Sequence, residues 1–274
     1  MNIRRHRVAC LVFGWLAVAA ARAAHAQEPV TVPLSDPSRP GTLTVAIVQG
    51  TITVKGANRT DVVVVPRPRS ARSPRWNEPD ATGLRRLTPS TGFKVVEEFN
   101  EIKVSTLNPN HALDFEIQVP TRTHLELSTV NSSEISVEGI EGNLEISNTN
   151  GNITLTQVSG AVIAHTTNGN VLATLLRVSP EKAMAFRSLN GRIDVTLPAA
   201  TKANLKLRSD NGDVYTDFPL TLQPSTAPVV RESRRDRGRF EIRRNSSIYG
   251  SINGGGPDIE LRTFNSNVYV RKGK

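Results

Sequence analysis

Four carboxylates, Glu116, Glu145, Asp194 and Asp213, are the side chains here whose chemistry could cut an acidic polysaccharide. Glycosidases need two carboxyl groups together, one to protonate the leaving oxygen and one to attack or to activate water. Each of the four reads as an outward polar position on a strand or turn, and single carboxylates at turns do not make a pair. Beyond residue 26 the histidines are His111, His124 and His165. None stands in His-Glu-x-x-His or has a second histidine at ligand spacing, so no catalytic zinc site is indicated. Neither Gly-x-Ser-x-Gly nor Gly-x-x-x-x-Gly-Lys-Ser/Thr occurs, and the only cysteine is Cys10. The residues therefore call for no cofactor, and a non-enzyme is expected.

The other chemistry on offer is cationic. Pro66–Arg86 holds six arginines against two acids, and Arg231–Arg244 holds seven against three. From these stretches Arg67, Arg69, Arg72 and Arg75, and Arg231, Arg234, Arg235, Arg237 and Arg239, are candidate contacts for an anionic polymer. A solvated loop that keeps the protein soluble is the competing reading. Nucleic acid is not expected, because the aromatic residues, 5% of the chain, are not interleaved with the arginines.

The segment before residue 27 reads as a secretory signal. It has a basic start (Arg4, Arg5, Arg7), an apolar run from Val8 to Ala21, and a small-residue cleavage site before the Ala26–Gln27 bond. The run is too short for a membrane-spanning helix and no second one follows, so the mature chain is expected to lack a transmembrane segment. Export places it in the periplasm, outside the cell or on its surface. Without the four arginines of the signal, 30 basic residues face 25 acids, a net charge of +5. Glu126–Gly160 holds five acids and no lysine or arginine. Export without cysteines leaves stability to core burial and the sheet ladder.

What must position these groups is a nine-residue beat. Gly142, Gly151, Gly160 and Gly169 each open a unit whose third and fifth residues are apolar: Leu144/Ile146, Ile153/Leu155, Val162/Ala164 and Val171/Ala173. The unit before them, opened by Ser133, gives Ile135/Val137. Alternate residues of a strand share a face, so each unit is one strand plus one turn with two side chains inward. The residues between them are Ser136, Glu145, Thr154, Ile163 and Leu172, so an outer cover is expected over the last two units. Glycine is expected at each turn for its access to positive φ. Units pair into a longer period: residues 142–156 align with 160–174 without a gap, then Asn190-Gly191 and Asn211-Gly212 follow after 22 and 21 residues. The beat also appears at Gly41, Gly50, Pro257 and Ser266.

Repeats of near-constant length point to an all-β fold, a repetitive β-solenoid like a parallel β-helix. An antiparallel β-meander or sandwich, with each Asn-Gly as a hairpin turn, is the alternative. The units lack the second glycine and the aspartate of Gly-Gly-x-Gly-x-Asp, so no regular calcium ladder is expected. The asparagines are expected to cap turns or to stack as a side-chain ladder. Residues 27–274 make one domain, with Arg/Pro-rich loops at about 66–92 and 221–247 as excursions that help cover an end.

Gly50-Thr-Ile-Thr-Val-Lys-Gly, the repeated Thr-Asn-Gly-Asn turns, Gly250-Ser-Ile-Asn-Gly-Gly-Gly and Asn265-Ser-Asn-Val-Tyr-Val resemble bacterial β-strand-repeat domains of the putative-adhesin family. The resemblance covers most of 41–272. It implies an exported, solenoid-like, non-enzymatic envelope protein and supplies no active-site residues. The expected function is an exported structural or binding (adhesin-like) module of the bacterial cell envelope, with envelope polysaccharide, lipopolysaccharide or an envelope protein as partner. The alternatives are a polysaccharide-active enzyme on a β-helix scaffold and an envelope-stress accessory protein.

Overall fold

The computed structural model describes residues 28–69, 92–109, 111–131, 134–223 and 247–273. These residues form strands and turns with no helix, so none is long and apolar enough to cross a membrane. The strands lie in two sheets. The first runs in the order β1 (Val30–Pro33), β4 (Asp61–Pro68), β7 (Leu113–Pro120), β3 (Ile52–Ala57), β9 (Ile135–Glu138), β11 (Ile153–Gly160), β13 (Val171–Val178), β15 (Ile193–Leu197), β21 (Val268–Lys272), β17 (Val214–Thr216). The second runs β18 (Thr221–Leu222), β19 (Ile248–Ile252), β16 (Ala203–Ser209), β20 (Asp258–Thr263), β14 (Met184–Ser188), β12 (Val162–Asn168), β10 (Leu144–Asn150), β8 (Thr123–Asn131), β2 (Gly41–Gln49), β6 (Glu101–Thr106), β5 (Phe93–Glu98).

Each coil contributes one strand to each sheet, and the coils pair in parallel. The structure is thus a flattened β-solenoid. The gapless alignment read from the sequence is the physical register: Leu144 pairs with Val162, Ile146 with Ala164, Ile153 with Val171 and Leu155 with Ala173. The residues of these pairs are all at most 3% exposed and face the opposite sheet. Hiding such side chains is the main drive for stacking, about 1.5–3 kcal/mol for each large aliphatic one.

Among the described residues, antiparallel pairing, the basis of the meander alternative, is confined to the two ends. At one end β5 pairs with β6, β4 with β7 and β1 with β4; at the other β19 pairs with β16 and β18 with β19. These capping strands flank the two arginine-rich excursions, so the end-covering role expected of the excursions falls, among the described residues, to the strands beside them.

Two expectations need correction. Ile163 is 49% exposed, so no cover lies over it among the described residues; Leu172, on the outer face of the other sheet, is half-buried. Several turn glycines are needed for space and not for positive φ. A Cβ on Gly169 would sit 2.0 Å from the Gly151 carbonyl oxygen, and one on Gly191 2.0 Å from that of Gly169. Stacked coils bring their turns into backbone contact, and a side chain would pry them apart. Positive φ does occur at Gly50 (134°) and Gly160 (118°).

Asparagines form the expected ladder. Asn168 Nδ2 donates to Asn150 Oδ1 (2.7 Å), Asn190 to Asn168 (2.8 Å), Asn265 to Asn190 (2.6 Å) and Asn211 to Asn265 (2.8 Å). An inner row of hydroxyls runs alongside: Thr166 donates to the Gly151 carbonyl, Ser188 to that of Gly169 and Thr263 to that of Gly191, at 2.8–2.9 Å. Turn carbonyls that face the core between coils are satisfied in this way, as buried polar groups must be.

Candidate binding surfaces

Of the arginines read from the sequence, Arg67 and Arg69 are described, and both hold carboxylates of the neighbouring β7. Arg67 Nη2 lies 2.7 Å from Glu116 Oε2, and Arg69 Nη2 lies 3.0 Å from Asp114 and donates to Thr51 Oγ1 at 2.8 Å. Arg72, Arg75, Arg231, Arg234, Arg235, Arg237 and Arg239 lie outside the described residues, as do Ala26 and Gln27. The chain leaves the described structure after β4 and returns at β5, both at one end of the solenoid; it leaves after β18 and returns at β19, both at the other.

The four candidate carboxylates are not brought together. Glu116 is on β7 and Asp194 on β15, five strand spacings apart in the first sheet or roughly 24 Å. That is well beyond the separation of about 5–9.5 Å that glycosidic carboxylate pairs show. Glu145 faces outward on the second sheet. Asp194 is clamped by Arg271 through two hydrogen bonds, 2.7 and 3.1 Å, which hold the guanidinium above its ordinary pKa. Asp213 accepts the Tyr215 hydroxyl at 3.2 Å, and its charge pushes that phenol up. His124 Nδ1 accepts the Asn143 N–H at 3.0 Å, and His165 is exposed on β12. No group of three metal-ligating side chains occurs among the described residues.

The sequence reading missed a tyrosine platform at the β17 end of the first sheet. Tyr269 and Tyr215 are in register on β21 and β17, and their rings stack with centroids 5.1 Å apart and planes 12° from parallel. Asn267 Nδ2 donates to the Tyr269 hydroxyl at 3.1 Å, and the Arg271 guanidinium lies 5.3 Å from the Tyr269 ring centre. Asp213 and Asn267 thus tether both hydroxyls. Because β17 is the last strand of its sheet among the described residues, none of their strands lies beside the far face of Tyr215, and the residue is 48% exposed. A signal was present: Asn-Gly-Asp-Val-Tyr at 211–215 repeats Asn-Ser-Asn-Val-Tyr at 265–269. Two strands of one repeat type that carry Tyr at the same offset stack their rings if their coils are adjacent.

The outer face of the second sheet carries a long shallow trough. Two clefts of about 370 and 430 Å³ meet at Ile163 and Ala183. Small outward residues make the floor: Ala161, Ala183 and Ala185 beside Ile163. One wall has Glu126 and Glu145, and the other has Arg187, Lys206, Glu260 and Tyr249. Glu260 is bonded by Arg187 and lies 3.0 Å from Lys206, and these contacts, Arg187 first, hold its carboxyl below the usual range.

Solved structures similar to this one include a putative cell adhesion protein from Clostridium sporogenes, 10% identical with a TM-score of 0.46, covering 90% of this chain and 99% of that one. A putative adhesin from Bacteroides fragilis (13% identity, TM-score 0.31, 90% and 98%) and one from Parabacteroides merdae (8%, 0.31, 90% and 96%) are also similar. Comparison with curated proteins finds no match. The Toastrack DUF4097 family model matches residues 90–267, from β5 through the stacked coils to the turn before β21, and the chain belongs to that family.

Proposed function

We propose that this protein is an exported, non-enzymatic binding module of the bacterial cell envelope, adhesin-like in action, and that it grips acidic envelope polysaccharide at the β17 end of the solenoid. The Tyr215–Tyr269 platform carries the reading. A tyrosine ring offers a wide apolar face at low entropic cost, and tethered hydroxyls reduce that cost further. The open face of Tyr215 suits the C–H face of a sugar ring. The same end anchors the excursion that holds Arg231, Arg234, Arg235, Arg237 and Arg239, which would supply charge for uronate or phosphate groups. Ring stacking selects the sugar, and the arginines select its acidity.

Affinity electrophoresis in gels containing alginate, polygalacturonate, hyaluronan or lipopolysaccharide tests this. Retardation is expected in at least one gel, lost in Tyr215→Ala and kept in Tyr215→Phe, which retains the ring. Equal mobility of wild type and Tyr215→Ala in every gel overturns the reading. Release of oligosaccharide products from the same polymers would overturn the non-enzymatic part.

A further inference from the structure

Where the strands of the second sheet run out into the asparagine ladder, their registers line up one outward residue from each coil. Val48 on β2, Val130 on β8, Thr149 on β10, Thr167 on β12, Leu189 just after β14 and Phe264 just after β20 stand side by side. Backbone bonds carry this register past the strand ends: the Leu189 N–H donates to the Thr166 carbonyl, and the Asn265 N–H to that of Leu189. Leu107, two residues beyond the Ser105 that pairs with Ala46, extends the row to β6. Leu107 is 68% exposed, and Val130, Leu189 and Phe264 are 44%, 45% and 44% exposed. The row is uncharged until it meets Asp210 beside β16, which Arg208 neutralises.

The rows on either side of this rim hold no carboxylate. One is the amide ladder. The other, two residues back along each strand, runs from Lys94 on β5 through serines to His165, Arg187, Arg262 and Arg208. Arg187 is engaged by Glu260, whereas Lys94 and Arg262 are exposed with no carboxylate against them among the described residues. After Asp210 the nearest outward carboxylates of the stacked strands are Glu126, Glu145 and Glu260, four residues back from the rim or roughly 13 Å. We propose that this rim docks on the surface of an anionic lipid bilayer, with its apolar side chains dipped into the headgroup boundary and the cations behind them on lipid phosphates.

Interfacial docking needs apolar side chains flanked by cations, and the rim has that order. An arginine two residues behind it lays its stem along apolar surface and sets its charge among headgroups, where each cation adds attraction to an anionic leaflet. The acids stand further off than the ~10 Å over which such a surface is felt at ~0.1 M salt. Charge on this face is thus sorted by distance from the rim. Shape decides between occupants. From β6 to β20 the row is roughly 29 Å by 7 Å, about 200 Å², a quarter of the roughly 800 Å² per partner that a specific protein complex buries. A fluid bilayer accepts a single row of side chains; a protein partner needs a patch. Tyr215 lies on the outer face of the other sheet, so the docking does not rest on the polysaccharide reading.

Flotation with vesicles tests the proposal, on the chain from residue 27 onward, which contains every described strand and lacks the apolar run of the signal. Vesicles of phosphatidylcholine mixed with phosphatidylglycerol are expected to carry the protein up, those of phosphatidylcholine alone much less, and high salt to release it. The double variant Leu189→Gln, Phe264→Gln should bind about tenfold more weakly or worse, and Arg262→Glu about fivefold. Ile163→Gln removes an equally exposed apolar side chain from the same face, away from the rim, and should float as wild type does. Thermal melts check that all the variants fold. No flotation with the anionic vesicles overturns the proposal, as does a folded double variant that floats like wild type, or an equal loss in Ile163→Gln. Dimerisation in sedimentation velocity that the double variant abolishes would give the rim to a second copy and overturn it too. Tyr215→Ala should float normally, so the polysaccharide reading is scored separately in the gels.

Discussion

At the scale of single residues, the turn glycines separate two causes that sequence patterns merge. Gly169 faces the Gly151 carbonyl where a Cβ would need to go, whereas Gly254, with φ of 88°, has nothing within 4 Å of that position. Gly169→Ala is therefore expected to cost about 3 kcal/mol or more, in the range of a severe core change. Gly254→Ala should cost only about 1–2 kcal/mol for the left-handed backbone. Urea denaturation of the two variants checks the ranking. Glu260 gives a second test. Its carboxyl is held below the ordinary 4.5 by Arg187 and Lys206, so the unfolded chain binds that proton more tightly than the folded one. Stability from this group is present above the ordinary value and is lost as pH falls through the lower folded value. Glu260→Gln should be less stable than wild type near neutrality and converge with it in acid, in melts run across that window. Neither residue's role was legible from the chain: Gly169 looks like any turn glycine, and Glu260 is one outward acid among many until β14 and β16 arrive on either side of it.

At the scale of elements, the strand is the unit whose behaviour the sequence does state. Ile153 on β11 is fully buried between the sheets, and Thr154 beside it points outward to Glu134 Oε1, 3.0 Å away. Ile153→Ala is expected to cost about 2–5 kcal/mol, and Thr154→Ser to stay within about 0.5 kcal/mol, by chemical denaturation. Equal losses at the two positions would mean that the face assignment is wrong. Two letters of one nine-residue unit suffice for this forecast, because a strand turns over every residue. The ladders beside the strands were half legible. The recurring Asn-Gly-Asn predicted stacked amides, but the hydroxyl row of Thr166, Ser188 and Thr263 lies in inward positions that read as interruptions of the apolar pattern. Only the approach of the next coil's carbonyls explains them.

At the scale of the whole molecule, the order of coils is not the order of the chain. The coil of β20 and β21, last in sequence, is inserted between that of β14 and β15 and that of β16 and β17. At the other end the coil of β2 and β3 lies between that of β6 and β7 and that of β8 and β9. Both sequence-terminal coils are therefore internal. Deleting residues 258–274 should break the stack and expose Leu205, Val195 and Ile193 rather than fray an end; dye binding with loss of a cooperative melt is expected, and a cooperative melt only slightly below wild type would contradict it. The sequence by itself determined the strand, its two faces, the coil length and the register of coils 18 residues apart, because alternation and turn spacing are local. It also placed charge in blocks. Tertiary structure alone decided which coils are neighbours. Parallel stacking is tolerant, since every coil offers the same kind of edge to the next, and short links, from β7 to β8 and from β19 to β20, carry the chain past a coil already in place. That choice sets Tyr269 against Tyr215, places Glu260 between two cations, and turns blocks of charge along the chain into columns on a face.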